Sequence, residues 1–461
     1  MPNGFAYIAL FSWPLVSLWL FATRPAGQAA AISVVVSFLF LPSRTAVDLP
    51  FLPALDKVTV SGIALLVLAF AFAGDRMRIV PAGRIPKLLF LLLFGGAVMT
   101  MAKNTDILIY GPTILPAQRL YDALSYSIQT LLVVIPFLVG QRLLGSVDGH
   151  RTILKVLAIS GVVYAALMAF EIRMSPQLHT WIYGFFPHSF GQQMRGDGFR
   201  PVVFLIHGLW TAFFAMTAAV SAAALWRASP LDRRGPWLIA LVIIGGVLVL
   251  ARSLGSQVYA LCLIPLVLFL SPRAQIRIAV VLAVIAITYP ALRGAHLIPT
   301  GAILDLAESV SAERAQSLGT RIQNEERLLA KAEERALFGW GIWARNRVYD
   351  PETGQDLSIT DGYWVILIGT FGWIGYVAIF GLLAWPIVST WRKSDAQIAP
   401  ETAALCLLLA ITMVELLPNS TFPPWTWLIA GALMVSTRKD AKTEVSMLDE
   451  MQPAPRINTV L

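Results

Sequence analysis

Apolar runs long enough to cross a bilayer follow one another from residue 5 to residue 437, and only the stretch 293–362 interrupts them for long. A lipid interior offers the backbone no hydrogen-bond partners, so such a chain must satisfy itself as helices or close into a barrel. The runs lie near the ~20 residues of a spanning helix, not the ~10 of a spanning strand. Their approximate limits are 5–22, 26–42, 58–74, 86–102, 122–140, 152–171, 202–226, 237–251, 256–271, 276–292, 363–388, 401–417 and 424–437. The second, eighth and ninth are short, which sets the count at about twelve or thirteen. The expected fold is an all-α polytopic membrane protein. Composition agrees: 57% of residues are hydrophobic and 13% charged, against ~25% charged in soluble domains.

The remaining charges choose the sides. Arg76, Arg78, Arg84 and Lys87 follow the third run, Arg142, Arg151 and Lys155 the fifth, and Arg227, Arg233 and Arg234 the seventh. Arg273 and Arg277 follow the ninth, Arg392 and Lys393 the eleventh, and Arg438, Lys439 and Lys442 the last. Every second loop is the basic one, which under the positive-inside rule puts these loops in the cytoplasm, with the N-terminus outside and the C-terminus inside. The net charge of +8 is then a topological signal, not a nucleic-acid footprint. Cys262 and Cys406 fall in apolar runs, which argues against a disulfide framework or a metal cluster. The opening MPNGFAYIALF has no basic n-region and reads as an uncleaved first span. Residues 1–437 form one membrane domain with an extracytoplasmic loop at about 293–362, and the polar tail 438–461 is expected to be disordered.

On this topology a second set of arginines lies outside, where the positive-inside rule gives no reason for them. Arg195 and Arg200 sit in MRGDGFRPVVFLIHG at the mouth of the seventh run, and Arg252 sits in the tight turn ARSLGSQ. Arg314, Arg321, Arg327, Arg335, Arg345 and Arg347 belong to the long loop. A guanidinium stays charged at physiological pH and grips phosphate through a bidentate fork, which suits a lipid-linked diphosphate at headgroup level. The competing reading pairs the loop arginines with Glu325, Glu326, Glu333 and Glu334, or lets them snorkel to headgroups. Arg195, Arg200 and Arg252 stand at span ends with few acids nearby, and charges at that depth are functional candidates.

Within the loop, Ser317 to Leu337 carries good helix formers, with Leu318, Ile322, Leu329 and Ala332 on one face, and Gly339 and Gly341 predict its end. Trp340 and Trp343 read as an interfacial belt in preference to a sugar-stacking platform. The stretch YDPETGQD looks disordered, and the chain re-enters the membrane at TDGYW with Asp361 at the water boundary.

The run GTRIQNEERLLAKAEERALFGWGIWARN, followed by TDGYWVILIGTFGWIGYVAIF, resembles the bacterial O-antigen ligase and Wzy-type polysaccharide polymerase superfamily. Arg321, Phe338-Gly339-Trp340-Gly341, Thr360-Asp361-Gly362-Tyr363 and Gly372-Trp373-Ile374-Gly375 occupy the places of that family's marks. RGDGFRPVVFLIHG and ARSLGSQVYAL resemble two further marks, and VELLPNSTFPPW is similar to an acidic motif of exopolysaccharide polymerases. The resemblance covers the C-terminal two thirds; residues 1–150 match only in hydropathy. It implies a multispan enzyme similar to C-type glycosyltransferases but independent of metal and of any cofactor. The donor would be an oligosaccharide on undecaprenyl diphosphate at the outer face of the inner membrane, the acceptor another glycan, and a chain-length regulator a possible partner. Arg195, Arg200, Arg252 and Arg321 would neutralise the diphosphate leaving group.

In one respect the chain departs from the family. O-antigen ligases commonly carry a His in the motif entering the span after the loop, where this chain has Thr360 and Asp361. That favours polymerase over lipid A ligation. The acceptor hydroxyl needs a proton acceptor, for which Asp361 is one candidate and Glu415, near the outer end of the twelfth run, another. His207, one turn inside the seventh run, reads as a packing histidine. The alternative function class is a transporter or flippase for an anionic or lipid-linked substrate, which would bring inverted repeats and midplane charges that the sequence does not display.

Overall fold

The computed structural model describes residues 1–48, 53–195, 198–310, 312–393 and 398–434; the tail 438–461 lies outside them. Thirteen helices coincide with the apolar runs: α1 (Gly4–Thr23), α2 (Ala26–Phe40), α3 (Lys57–Ala73), α4 (Arg84–Lys103), α5 (Leu120–Leu143), α6 (Val147–Met174), α8 (Gly208–Ala228), α9 (Gly235–Leu250), α10 (Leu254–Phe269), α11 (Pro272–Gly294), α14 (Tyr363–Arg392), α15 (Pro400–Glu415) and α16 (Trp425–Ala432). Three more, α7 (Leu178–Tyr183), α12 (Thr300–Val310) and α13 (Ala312–Glu333), lie in the connections. Among the described residues, seven helices are long and apolar enough to cross a membrane by length and composition, namely α1, α4, α5, α6, α8, α11 and α14; α2, α3, α9 and α10 are shorter apolar helices. The chain is a multi-pass helical membrane protein.

The helices pack as a bundle around a continuous apolar core. α8 is its central rod, with nearly every residue from Thr211 to Leu225 buried between α6, α9, α10 and α15. α5 runs along α16, α4 along α14, and α11 along α15. Small residues allow the close approaches: a Cβ on Gly140 would lie 2.3 Å from Leu428 O, and one on Gly431 1.9 Å from Phe137 O. Close backbone contact through small residues is how helices associate where the hydrophobic effect offers no drive between them.

One end of the bundle is fixed by polar contacts. His150 on α6 bonds the Thr402 hydroxyl at 2.8 Å and the Ala432 carbonyl at 3.0 Å, while Arg151 pairs with the buried Glu401 at 2.8 Å and donates to Ala228 O. Arg227 donates to Val267 O and Leu270 O. These contacts gather the starts of α6 and α15 with the ends of α8, α10 and α16, the set that basic loops connect. The start of α8 and the end of α15 therefore lie together at the opposite end. The tight turn between α9 and α10 and the start of α14 join them there.

At that second end the structure departs from the sequence reading in several places. The seventh span begins at Gly208, not at 202. Residues 200–207 stay non-helical because the buried Glu171 carboxylate accepts from the amides of Val202 (2.8 Å), Val203 (2.7 Å) and Leu178 (3.0 Å). Val203 is held at φ +55, a conformation that a β-branched residue adopts only when its surroundings impose it. His207 is consequently the N-cap of α8, its Nδ1 accepting from Leu209 N at 3.0 Å, and not a packing histidine inside the span.

The loop helix α13 starts and ends earlier than the predicted 317–337, and α12 precedes it. It stops at Glu333 because the next residues give their backbone groups to α14. Trp340 N donates to Gly369 O (2.8 Å), Gly341 N to Thr370 O (2.9 Å) and Trp373 N to Ala336 O (2.8 Å). Gly372, at φ +66 and ψ −170, breaks α14 at this point. A Cβ there would lie 2.2 Å from Leu337 O, and one on Gly339 2.5 Å from Thr370 C. The two glycine motifs thus dock on each other, and Thr100 of α4 and its C-cap Asn104 donate to Phe338 O (2.6 Å) and Gly339 O (3.0 Å) from the other side. Trp340 is 6% exposed, with its Nε1 on Lys331 O and with Lys331 and Arg335 over its ring, so it is a packing residue and not part of an interfacial belt. Trp343, by contrast, is 58% exposed. YDPETGQD is ordered: Tyr349 and Asp356 form a bridge, Asp350 accepts from the amides of Glu352 and Thr353, and the hairpin of β1 (Leu108–Tyr110) and β2 (Thr113–Leu115) packs on Gly354.

Candidate functional site

Two groups of polar residues meet at the second end of the bundle. The first is built on the return of the chain into α8. A short ladder of β3 (Met194–Arg195) and β4 (Gly198–Phe199) carries Arg195 and leads to Arg200. The side chain of Arg195 lies outside what the structure describes. Arg200 is 7% exposed, lies flat over Gly208, and donates through Nη2 to Arg252 O at 3.2 Å. Arg252 turns the chain between α9 and α10 at φ +52, and its guanidinium covers Gly198, where a Cβ would stand 2.8 Å from Cζ. Glycine at 198 and at 208 leaves the space that both arginines occupy.

The second group lies where α13 crosses the starts and ends of α14, α15 and α11. Arg321 Nε is 3.6 Å from Asp361 Oδ2, each side chain 39% exposed. Asn324, one turn further along α13, accepts from Ile359 N at 3.0 Å and so fixes the approach to Asp361. Tyr363, the first residue of α14, donates its amide to Leu416 O, which brings Asp361 beside the end of α15. There Glu415, 4% exposed, accepts from Asn419 Nδ2 at 2.8 Å, with the Tyr259 hydroxyl and the charge of Arg321 close by.

Glu325 completes this group and was not singled out from the sequence, where it served only as a pairing acid. It accepts from the Tyr289 hydroxyl of α11 at 3.1 Å. Burial pushes its carboxyl above the usual range, outweighing the Tyr289 bond and the charges of Arg293 and Arg321. A carboxyl perturbed by burial among charged partners is an acid–base candidate. Its signal in the sequence was weak, because Tyr289 and Tyr259 look like ordinary span aromatics. The two groups are joined through α10, which starts next to Arg252 and presents Tyr259 to Glu415 about two turns on, roughly 10 Å along the axis.

The structure therefore brings together Arg321, Asp361 and Glu415, and separately Arg200 and Arg252. It takes other arginines out of contention. Arg335 and Arg345 both grip Asp106, at 2.9 and 3.0 Å, and the fully buried Arg345 also donates to the carbonyls of Trp340, Asp106 and Pro116. Burial opposes ionisation of Asp106, but these two arginines hold its carboxyl below the ordinary range. Arg347 pairs with Asp356 at 2.6 Å. Arg335 and Arg345 fasten the loop to the connection between α4 and α5, and Arg347 ties the loop to itself, all through aspartates outside the glutamate run expected to pair with them. Among the described residues, no three of His, Cys, Asp and Glu gather as a group fit to hold a metal ion. No protein-family model matches this chain, and no curated protein matches it in sequence.

Proposed function

We propose that this chain is a membrane glycosyltransferase of the O-antigen ligase and polysaccharide polymerase type. On this reading it moves oligosaccharide units from undecaprenyl diphosphate to a second glycan at the extracytoplasmic face of the inner membrane. The observation that carries the reading is the convergence of Arg321, Asp361 and Glu415, read from motifs far apart in sequence, at the end of the bundle that also holds Arg200 and Arg252. The basic loops gather at the other end, which the positive-inside rule makes cytoplasmic.

In this mechanism Arg200, Arg252 and Arg321, with Arg195, bind the donor's diphosphate through charge-assisted hydrogen bonds. A diphosphate that engages Arg321 loosens its pair with Asp361 and leaves that carboxylate to face the acceptor. The acceptor hydroxyl oxygen bonds to the anomeric carbon as the bond from that carbon to the diphosphate oxygen breaks. Its proton passes to Asp361, or to Glu415 or Glu325 behind it, and undecaprenyl diphosphate leaves with the bonding electrons. The arginines stabilise the charge that develops on the leaving group.

The test is reconstitution of the purified chain with a labelled undecaprenyl-diphosphate oligosaccharide. Chain elongation or transfer, lost in Arg252→Ala and Arg321→Ala proteins that still insert and fold, is the expected result. Movement of the label across the vesicle without new glycosidic bonds would establish transport instead.

A further inference from the structure

A cavity of 470 Å³ lies between α2, α3, α5, α8 and the start of α16, on the same end of the bundle as the arginines. That volume is in the range of ligand sites. Its walls are apolar, with Phe38, Leu65, Leu132, Pro136 and Trp427 among them. Its rim is not. Arg44, Asp56 and Lys57 line it there, beside Thr45.

The rim charges are unequally engaged. Both bonds of Asp56 Oδ1 go to the first amides of α3, from Val58 at 2.9 Å and Thr59 at 2.8 Å, so the carboxylate caps the helix. Lys57 donates to Phe38 O at 3.2 Å and to Ser43 Oγ at 3.0 Å, which uses two of the three donors of an ammonium. Arg44 is exposed and held at φ +56, with no acid paired to it among the described residues. Among the described residues, two buried donors at the cavity have no partner: Thr45 Oγ1, on a residue 0% exposed, and Trp427 Nε1, on a residue 2% exposed. Buried polar groups are rarely left unsatisfied, and two at one cavity mark a place for acceptor oxygens.

We propose that this cavity binds one anionic, phosphate-headed lipid. The part of its hydrocarbon chain nearest the headgroup lies in the apolar cavity, the rest continuing into the bilayer, and its phosphate takes bonds from Arg44, Lys57 and Thr45. None of the candidate transfer residues lines the cavity, whose Phe422 packs edge-on against Tyr363 at the head of α14, 5.2 Å between centroids. The inference does not rest on the transferase reading. A bilayer phospholipid and a polyprenyl phosphate share the chemistry that this site recognises, and the experiment separates them.

The experiment titrates the full chain, purified in a neutral maltoside detergent, with phosphatidylglycerol, undecaprenyl phosphate, phosphatidylcholine and inorganic phosphate, and reads the thermal unfolding midpoint. The midpoint should rise with one or both anionic lipids, and whichever acts at lower concentration identifies the source. Arg44→Ala should weaken that effect about tenfold, the loss of one charge-assisted contact. Arg44→Glu should abolish it, as should Ser61→Phe, which fills the cavity beside Lys57. The exposed position of Arg44 keeps the first two variants folded, whatever the third does. Equal stabilisation by phosphatidylcholine, an equal response to inorganic phosphate alone, or an unchanged response in Arg44→Glu overturns the proposal.

Discussion

Arg321 Nε stands 3.6 Å from Asp361 Oδ2, and this pair joins the loop helix to the head of the first span after the loop. Both side chains are 39% exposed, so the pair contributes little to stability, on the order of 0–1 kcal/mol. Its position beside Glu415 gives it a different significance.

Asp361→Asn should therefore leave the unfolding midpoint within a degree or two of the parent while lowering transfer by about 100-fold or more, the scale of general-base contributions. Arg321→Lys keeps the charge but loses the fork, and should raise KM for the donor more than it lowers kcat. Both are read from initial rates with labelled donor. Full activity of Asp361→Asn would remove that residue from the mechanism.

The raised carboxyl of Glu325 makes a pH prediction. Its folded pKa lies above its unfolded one, so its protonated form stabilises the fold. That contribution is complete below the unfolded value, ~4.3, and is lost as pH rises through the folded value. If this carboxyl exchanges the proton in transfer, the rate should show a limb above the ordinary carboxylate range. Glu325→Gln should flatten that limb, whereas Glu326→Gln, at an exposed neighbour, should not.

Gly372→Ala should be among the most damaging single changes outside the polar site. It places a side chain at φ +66 and a Cβ 2.2 Å from Leu337 O. Left-handed strain alone costs about 1 kcal/mol or more, and the clash adds to it. The loop would lose its docking on α14, and limited proteolysis between residues 333 and 345 should quicken. A protease pattern like that of the parent counts against the docking role.

Arg345→Met should destabilise by about 2 kcal/mol, since it removes bonds from a buried guanidinium to Asp106 and three carbonyls, with Asp106 itself half in water. Arg335 should hold part of the loop in place. Because Asp106 is held below its ordinary pKa, the stability it contributes is present above ~3.9 and falls as the pH drops through its folded value. An Asp106→Asn protein should lose that acid sensitivity, measured as the midpoint between pH 6 and pH 3.

The sequence determined the helices, because a backbone in lipid has no other way to satisfy its hydrogen bonds and hydropathy marks each run directly. Every expected run contains a helix. The sequence also picked Arg321, Asp361 and Glu415 from motifs and span ends, and these do meet. It could not say which outer arginines are structural. Arg335 and Arg345 carry the same charge as Arg321 in the same loop, and only the fold brings Asp106, more than two hundred residues away in sequence, between them. The start of the seventh span was misread for a similar reason: a carboxylate at Glu171 holds the amides of Val202 and Val203 out of a helix that hydropathy alone would extend. Glu325 was missed because a glutamate's character is set by what buries it. Hydropathy is a local property of the chain, whereas ion pairing and desolvation depend on which distant groups the packing brings within a few ångströms.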